Sequence, residues 1–264
     1  MDFAELKELL IPEGKVKKIE ANGKILWQAI SLKPVMADND WFDIFEAFKS
    51  GNAPATWQVG DTKSLTLTDN TTYTIRLCDK QAGRYQYSNG SGSSKVVFEF
   101  VELVKVGSTN RFKMNVSNIN TGGWKNCYMR GTNIPSIEAL LPDDMLAAIS
   151  EVNVLSGTGS GTTSGTSSSA NKLFIPAEME MFSSGFYSIG DAECPLGQFD
   201  YYKAHNTDAD RIKSDVGTTS AFSYFLRSPR SGHSQYFCSV TKDGGDYNNA
   251  YADYPRAVSP CFAI

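Results

Sequence analysis

Residues 225–264 read FLRSPRSGHSQYFCSVTKDGGDYNNAYADYPRAVSPCFAI, a polar and aromatic interior held between two stiff apolar ends. From Arg230 to Tyr254, 15 of 25 positions are Tyr, Ser, Gly, Asn or Asp, and Leu, Ile, Met, Trp and Glu are absent. That is the composition of a recognition surface: Tyr offers a large amphipathic contact at small rotamer cost, while Ser, Gly and Asn offer adaptable hydrogen bonds. Tyr236, Tyr247, Tyr251 and Tyr254 are the expected anchors. The same small polar residues also form turns, so a plain loop pair closing a β-sheet is the competing reading.

Working back from this stretch, SAFSYFLRSP (220–229) reads as the strand that leads into it, and AVSPCFAI (257–264) as the apolar strand that leads out. LGQFDYYKAHN (196–206) is an aromatic helix and PAEMEMF (176–182) a helical turn. The sixteen residues SGTGSGTTSGTSSSAN (156–171) carry nothing larger than Thr or Asn and bury too little apolar area to order themselves. They are read as a flexible surface loop, with EVNV (151–154) and KLFIP (172–176) pairing across it as a hairpin.

Nearer the start, DNDWFDIFEAFKSG (38–51) places Trp41, Ile44, Phe45 and Phe48 at helical spacing, with Asp38 or Asp40 to cap the helix and Gly51 to end it. SLTLT (64–68), TYTIRLC (72–78) and VVFEFVELV (96–104) alternate as strands, separated by Asp69-Asn70 and by the loop 81–94. TGGWKNCYMRG (121–131) and IPSIEALLPDDMLAAI (134–149) are helical pieces, the second with Pro142, Asp143 and Asp144 in the first turn of its later half. At the amino terminus, a short helix over Asp2 to Leu10 precedes VKKIEANGKILW (16–27), a hairpin about Asn22-Gly23. Two strands are marginal alone, so Val16, Ile19, Ile25 and Trp27 are expected to pack on another surface. The resulting fold class is α+β, organised as a docking segment over 1–36 and a main domain over 37–264.

The chemistry of many function classes is missing. A net charge of −4 and a pI of 5.3 give no basic footprint for nucleic acid. No run is long enough to insert in a membrane, and MDFAELKELL lacks the basic start and apolar core of a signal peptide, so synthesis and folding in the cytoplasm are expected. Cys78, Cys127, Cys194, Cys238 and Cys261 are too irregularly spaced to define disulfides or zinc. They are expected to be reduced and mostly buried.

His205 and His233 lack ligand spacing, and no phosphate-binding glycine loop precedes a helix. No metal site and no cofactor are expected. Cys194 with His205, or Cys238 with His233, stays open as a nucleophilic pair. Asp143-Asp144 and Asp208/Asp210 stay open as acid pairs, although helix capping is preferred for the first. Asp243-Gly-Gly-Asp246 is read as a turn in preference to a calcium loop.

The ordered motifs WQVGDTKSLTL, TGGWKNCYMRG, LPDDMLAAI, KLFIPAEMEMF, FLRSP and AVSPCFAI resemble an uncharacterised domain family of gut bacteria and their prophages, from Trp57 to Ile264. That family ends in a pattern close to WLRSP, a diversified stretch and GVAPGF, with Phe225, Ala257 and Cys261 standing here in place of Trp, Gly and Gly. Proteins with this ending resemble the variable proteins of diversity-generating retroelements, whose carboxy-terminal repeat is rewritten at adenines on a C-type lectin-like scaffold.

The resemblance implies a C-type lectin-like (formylglycine-generating-enzyme-type) domain with a variable region at 230–255. Its ligand-binding positions would be His233, Ser234, Tyr236, Ser239, Thr241, Asp246, Tyr247, Asn248, Asn249, Tyr251, Asp253 and Tyr254. Gln235 and Lys242 fall outside the residue menu of such mutagenesis and should be constant.

EGKVKKIEANGKILW (13–27) resembles the start of phage tail and baseplate-associated proteins. The expectation is a non-enzymatic, phage or prophage tail-tip receptor-binding protein, located on the virion tail. It would bind a host cell-surface protein or glycan, dock through its amino terminus and display itself multivalently, with homo-oligomers expected. The alternatives are an enzyme on the formylglycine-generating scaffold and a purely structural tail or cell-surface subunit.

Overall fold

The computed structural model describes residues 32–264 and, before them, the backbone of two strands, β1 (Lys18–Ala21) and β2 (Lys24–Gln28). These strands pair antiparallel, with Ile19 opposite Trp27 and Ala21 opposite Lys24, as the Asn22-Gly23 signal requires. The expected helix over Asp2 to Leu10, the turn itself and the packing of Val16, Ile19, Ile25 and Trp27 lie outside the described residues.

Helix α1 (Trp41–Ser50) forms where the 3.6-residue period placed it, burying Ile44, Phe45 and Phe48. Gly51 closes it in the left-handed conformation (φ 75°), and its N–H reaches Ala47 O and Phe48 O. The expected aspartate cap is corrected: Asp40 occupies the cap position but makes no side-chain capping bond. The chain is instead folded into the helix by the buried Asn39, whose Oδ1 accepts Lys33 N at 2.7 Å and whose Nδ2 donates to Val35 O at 2.8 Å.

The helix covers a five-stranded antiparallel sheet built from β3 (Thr62–Thr66), β4 (Thr72–Asp79), β6 (Val97–Phe100), β9 (Leu173–Phe174) and β13 (Cys261–Ala263). Their order is β3-β4-β6-β13-β9, so the last strand of the chain sits inside the sheet. Phe262 stacks on Phe98 at 5.3 Å, and the Phe45 ring of the helix meets Phe262 edge-on at 6.1 Å. The carboxy-terminal anchor is therefore a core strand.

Two further antiparallel sheets complete the domain. One is β5 (Gln86–Tyr87), β7 (Val152–Gly157) and β8 (Thr166–Asn171), in that order; the other is β10 (Tyr224–Pro229), β11 (Tyr236–Val240) and β12 (Asp246–Tyr251). Short helices lie between strands: α2 (Ile134–Glu138), α3 (Asp143–Ala148), α4 (Glu178–Met181), α5 (Asp200–Ala204) and α6 (Asp208–Arg211). Pro142 stands at the cap of α3, one place before its first turn, and Asp143 and Asp144 fill that turn.

The flexible-loop reading of 156–171 needs correction, because its last six residues are β8 and pair with β7 from Val152–Asn171 to Gly157–Thr166. A backbone ladder satisfies N–H and C=O groups whatever the side-chain size; small side chains alone do not make a loop. Asn171, at the end of β8, accepts Trp124 Nε1 and Arg130 Nε at 3.2 and 2.9 Å. The KLFIP segment consequently does not pair with EVNV; Leu173 and Phe174 go to β13.

Candidate functional site

The β11–β12 hairpin carries the tyrosine-rich stretch, with Tyr236 opposite Tyr251, Phe237 opposite Ala250 and Val240 opposite Asp246. Phe237, Cys238, Val240, Ala250 and Ala252 are fully buried, whereas Tyr247, Tyr251 and Tyr254 are 38%, 45% and 64% exposed. Along β12 strand alternation sends Ala250 and, just past its end, Ala252 inward and leaves Tyr247 and Tyr251 outside, whereas β11 is buried on both faces from Phe237 to Val240. The Tyr236 and Tyr251 rings lie 4.8 Å apart, and His233 approaches Tyr236 at 5.7 Å. Arg230 lies over Tyr236 and bonds Asn249 Oδ1, while Arg256 lies over Tyr247 at 5.3 Å.

The turn between these strands is held by Thr241, whose N–H donates to Gly245 O and whose Oγ1 accepts Gly245 N at 3.0 Å. Gly244 is required there: its φ is 88°, and a Cβ would stand 1.7 Å from Asp208 O of α6. Thr241 is thus a frame residue as it stands.

The expected contact residues separate by position. His233, Ser234, Tyr247, Asn249, Tyr251 and Tyr254 are exposed; Tyr236, Thr241, Asp246 and Asp253 are half-buried; Asn248 lies within β12. Ser239 is a correction, since it is completely buried and its Oγ has no partner among the described residues. Phe237, Cys238, Ser239 and Val240 are all buried in succession, so both faces of β11 are covered at Ser239. Asp246 also turns away, with both carboxyl oxygens buried, met by no donor among the described residues and close enough to Glu178 to feel its charge. Burial first, then a hydrogen bond to Glu178 and its charge, push Asp246 up to about 9.

Segments from elsewhere in the domain flank the hairpin and tie it down. The buried Asn120 donates from Nδ2 to His233 O and Tyr236 O at 2.7 and 2.8 Å, and its Oδ1 accepts Ser160 N. The glycine-serine segment thereby braces the loop before β11. Ser231 N donates to Tyr187 O, which brings the exposed Phe186 and Tyr187 alongside. On the other side Asn115 N donates to Ala252 O, near the exposed Val116 and Ile119.

Beneath the hairpin lies a charged frame that composition and spacing did not disclose. Arg227 of FLRSP is fully buried and meets Glu180 through Nη1–Oε2 at 2.5 Å and Nη2–Oε1 at 2.7 Å. Tyr85 OH donates to the same carboxylate at 2.5 Å. Burial pushes Glu180 up, but the Arg227 charge and hydrogen bonds outweigh it and hold the carboxyl below its ordinary range. Ser228 bonds Glu193 and accepts Glu178 N, and Glu178 in turn accepts the N–H groups of Tyr187 and Ser188. Burial pushes Glu193 up to about 7, against Ser228 and Arg227. One signal was available: an arginine inside the otherwise apolar run YFLRSP needs a buried carboxylate.

A second frame holds the outgoing anchor. Glu99 accepts Arg76 Nη2 at 2.6 Å, Lys213 Nζ at 2.7 Å and Tyr202 OH at 2.9 Å. Lys213 also reaches Ser259 Oγ of AVSPCFAI at 2.8 Å. Burial favours the neutral acid, yet Arg76 and Lys213 bring Glu99 down to about 2.

All five cysteines are free and buried. Burial drives Cys127 up to about 12 and Cys78, Cys194, Cys238 and Cys261 well above the ordinary thiol value. His205 stacks on Tyr201 and stands 3.8 Å from Asp210, and among the described residues neither histidine bonds a cysteine. Asp210 Oδ2 accepts Thr207 N as a helix cap, and Asp243 pairs with Lys242 in the open. Among the described residues no group of three or more His, Cys, Asp or Glu could hold a metal ion, and no helix is long and apolar enough to cross a membrane.

Three antiparallel sheets joined by short helices define a mixed α/β domain of α+β type, with one hairpin presenting aromatic rings. The chain belongs to the family described as Domain of unknown function (DUF6273), whose model matches residues 100–264 and so includes Glu178, Glu180 and Glu193 of the first frame and the whole tyrosine hairpin. No curated protein and no solved structure matches it.

Proposed function

We propose that this protein binds ligands through the β11–β12 face on a C-type lectin-like scaffold, and serves as a tail-tip receptor-binding protein of a phage or prophage. The observation that carries the reading is the division of labour within one hairpin: rings outward, small and apolar residues inward, over a frame of buried ion pairs. Exposed positions of this kind change at little cost to stability, which suits diversification by a retroelement at His233, Ser234, Tyr247, Asn249, Tyr251 and Tyr254, together with the half-buried Tyr236 and Asp253 and with Asn248 of β12. Ser239, Thr241 and Asp246 fit the codon pattern but contribute to the interior or the turn. The amino-terminal hairpin is the docking module in this reading, and multivalent display offsets the small area of a few tyrosines.

Buried thiols with raised pKa are poorly placed as nucleophiles, which supports binding over an enzyme that uses a surface cysteine. Two experiments test the proposal. Flanking DNA should hold a near-repeat of the last coding segment, with adenines at the variable codons, beside a reverse transcriptase gene; its absence removes diversification. Changing Tyr247, Tyr251 and Tyr254 together to Ala should abolish adsorption of the particle to its host, and unchanged adsorption would point to a structural subunit.

A further inference from the structure

The eight arginines of this chain differ in how their charge is met. Arg76, Arg84, Arg111, Arg211 and Arg227 each pair with a carboxylate. Arg130 bonds Asn171 and main-chain oxygens, and Arg230 bonds Asn249. Arg256 alone has a side chain with neither a hydrogen bond nor an ion pair among the described residues, and its Nε is sealed from water without an acceptor. A half-buried guanidinium left this way is a standing cost that an incoming anion relieves.

Its backbone is fixed by a reciprocal pair of bonds: Arg256 N donates to Phe112 O at 2.9 Å, and Phe112 N donates to Arg256 O at 2.7 Å. The guanidinium lies over Tyr247, with Tyr254 also close enough to act on its charge. It stands one residue beyond the variable span, so it is the constant element under changing side chains. Resting on the ligand-binding reading above, we propose that Arg256, with Tyr247 and Tyr254, forms an anion subsite that takes the carboxylate of an acidic side chain on a protein ligand. Burial lowers the Arg256 pKa, the opposite of what a resident carboxylate would do. A protein is favoured over an acidic glycan because the segment that pairs with Arg256 through Phe112 and with Ala252 through Asn115 goes on to Val116 and Ile119, 69% and 49% exposed aliphatics. Such side chains gain from apolar cover and cannot bond sugar hydroxyls.

The test follows the Arg256 Nε–H signal and the Tyr247 and Tyr254 ring signals by NMR in the full chain. Three probes are titrated: N-acetylglutamate methylamide, its glutamine counterpart and glucuronate. The glutamate probe should give saturable shifts, with the other two at least about tenfold weaker, the ratio expected when a charge-assisted bond is lost. Arg256→Gln should abolish the ring shifts and Arg256→Lys should weaken them. Absent saturation in the native protein, equal binding of the glutamine probe, or equal or tighter binding of glucuronate overturns the proposal. If Arg256→Gln fails to fold, the native titration and Arg256→Lys still decide. Adsorption that needs the tyrosines while Arg256 stays silent removes the subsite alone, which keeps this failure distinct from failure of the ligand-binding reading.

Discussion

Replacing Asp246 by Asn is expected to flatten the dependence of stability on pH. Asp246 is pushed up to about 9 in the folded protein, against 3.8 for the free group. A raised acid pKa means that the folded state binds the proton more tightly, so the contribution is complete below the unfolded value and lost as pH rises through the folded one. Between those limits one proton is released on unfolding, and stability falls by about 1.4 kcal/mol per pH unit. From pH 6 to pH 8 the native protein should therefore lose about 2.7 kcal/mol through Asp246. Glu193, at about 7, adds its own slope below neutrality, and that slope is common to both proteins. Asn keeps a donor for Glu178 and takes up no proton, so the stability gap between variant and native should widen in the variant's favour by about 2.7 kcal/mol from pH 6 to pH 8. Urea unfolding followed through the buried Trp57 and Trp124 measures this. Parallel stability curves for the two proteins would refute the assignment of a protonated Asp246 against Glu178.

Glu180→Gln strands the Arg227 charge in the interior and should cost about 3–5 kcal/mol, read as a lower urea midpoint. Gly244→Ala asks an L-residue to adopt φ 88° with its Cβ on Asp208 O, and should cost at least ~2 kcal/mol by the same measurement. Combined Ala substitution of Tyr247, Tyr251 and Tyr254 removes exposed rings and should change stability by no more than about 1 kcal/mol. A larger loss would show that these rings support the fold.

Elements whose cause is local were legible in the chain. The α1 helix follows from four aromatic or apolar residues at helical spacing and a terminal glycine, and β1 and β2 follow from Asn-Gly between apolar runs. β8 was not legible, because Thr, Ser and Ala give no alternation to read and its order comes from a partner ladder. The hairpin partner of KLFIP was missed for the same reason: β8 already occupied the place beside β7. At the site, the outward tyrosines were visible from composition, whereas Ser239 is as small and polar as the exposed Ser234 and only the packing on both faces of β11 encloses it. The acids Glu178, Glu180 and Glu193 have ordinary surface character in the sequence. Only the apolar surroundings of Arg227 and Ser228 hinted that they turn inward.

If the protein sits on a phage particle as proposed, hydroxyl-radical footprinting before and after adsorption to host cells decides whether its tyrosine face is the contact surface. The account predicts that Tyr247, Tyr251 and Tyr254 react readily in the free particle while Tyr73, Tyr85, Tyr202 and Tyr224 do not, and that the first three become protected on adsorption. Unreactive rings in the free particle, or reactivity unchanged by adsorption, would contradict it.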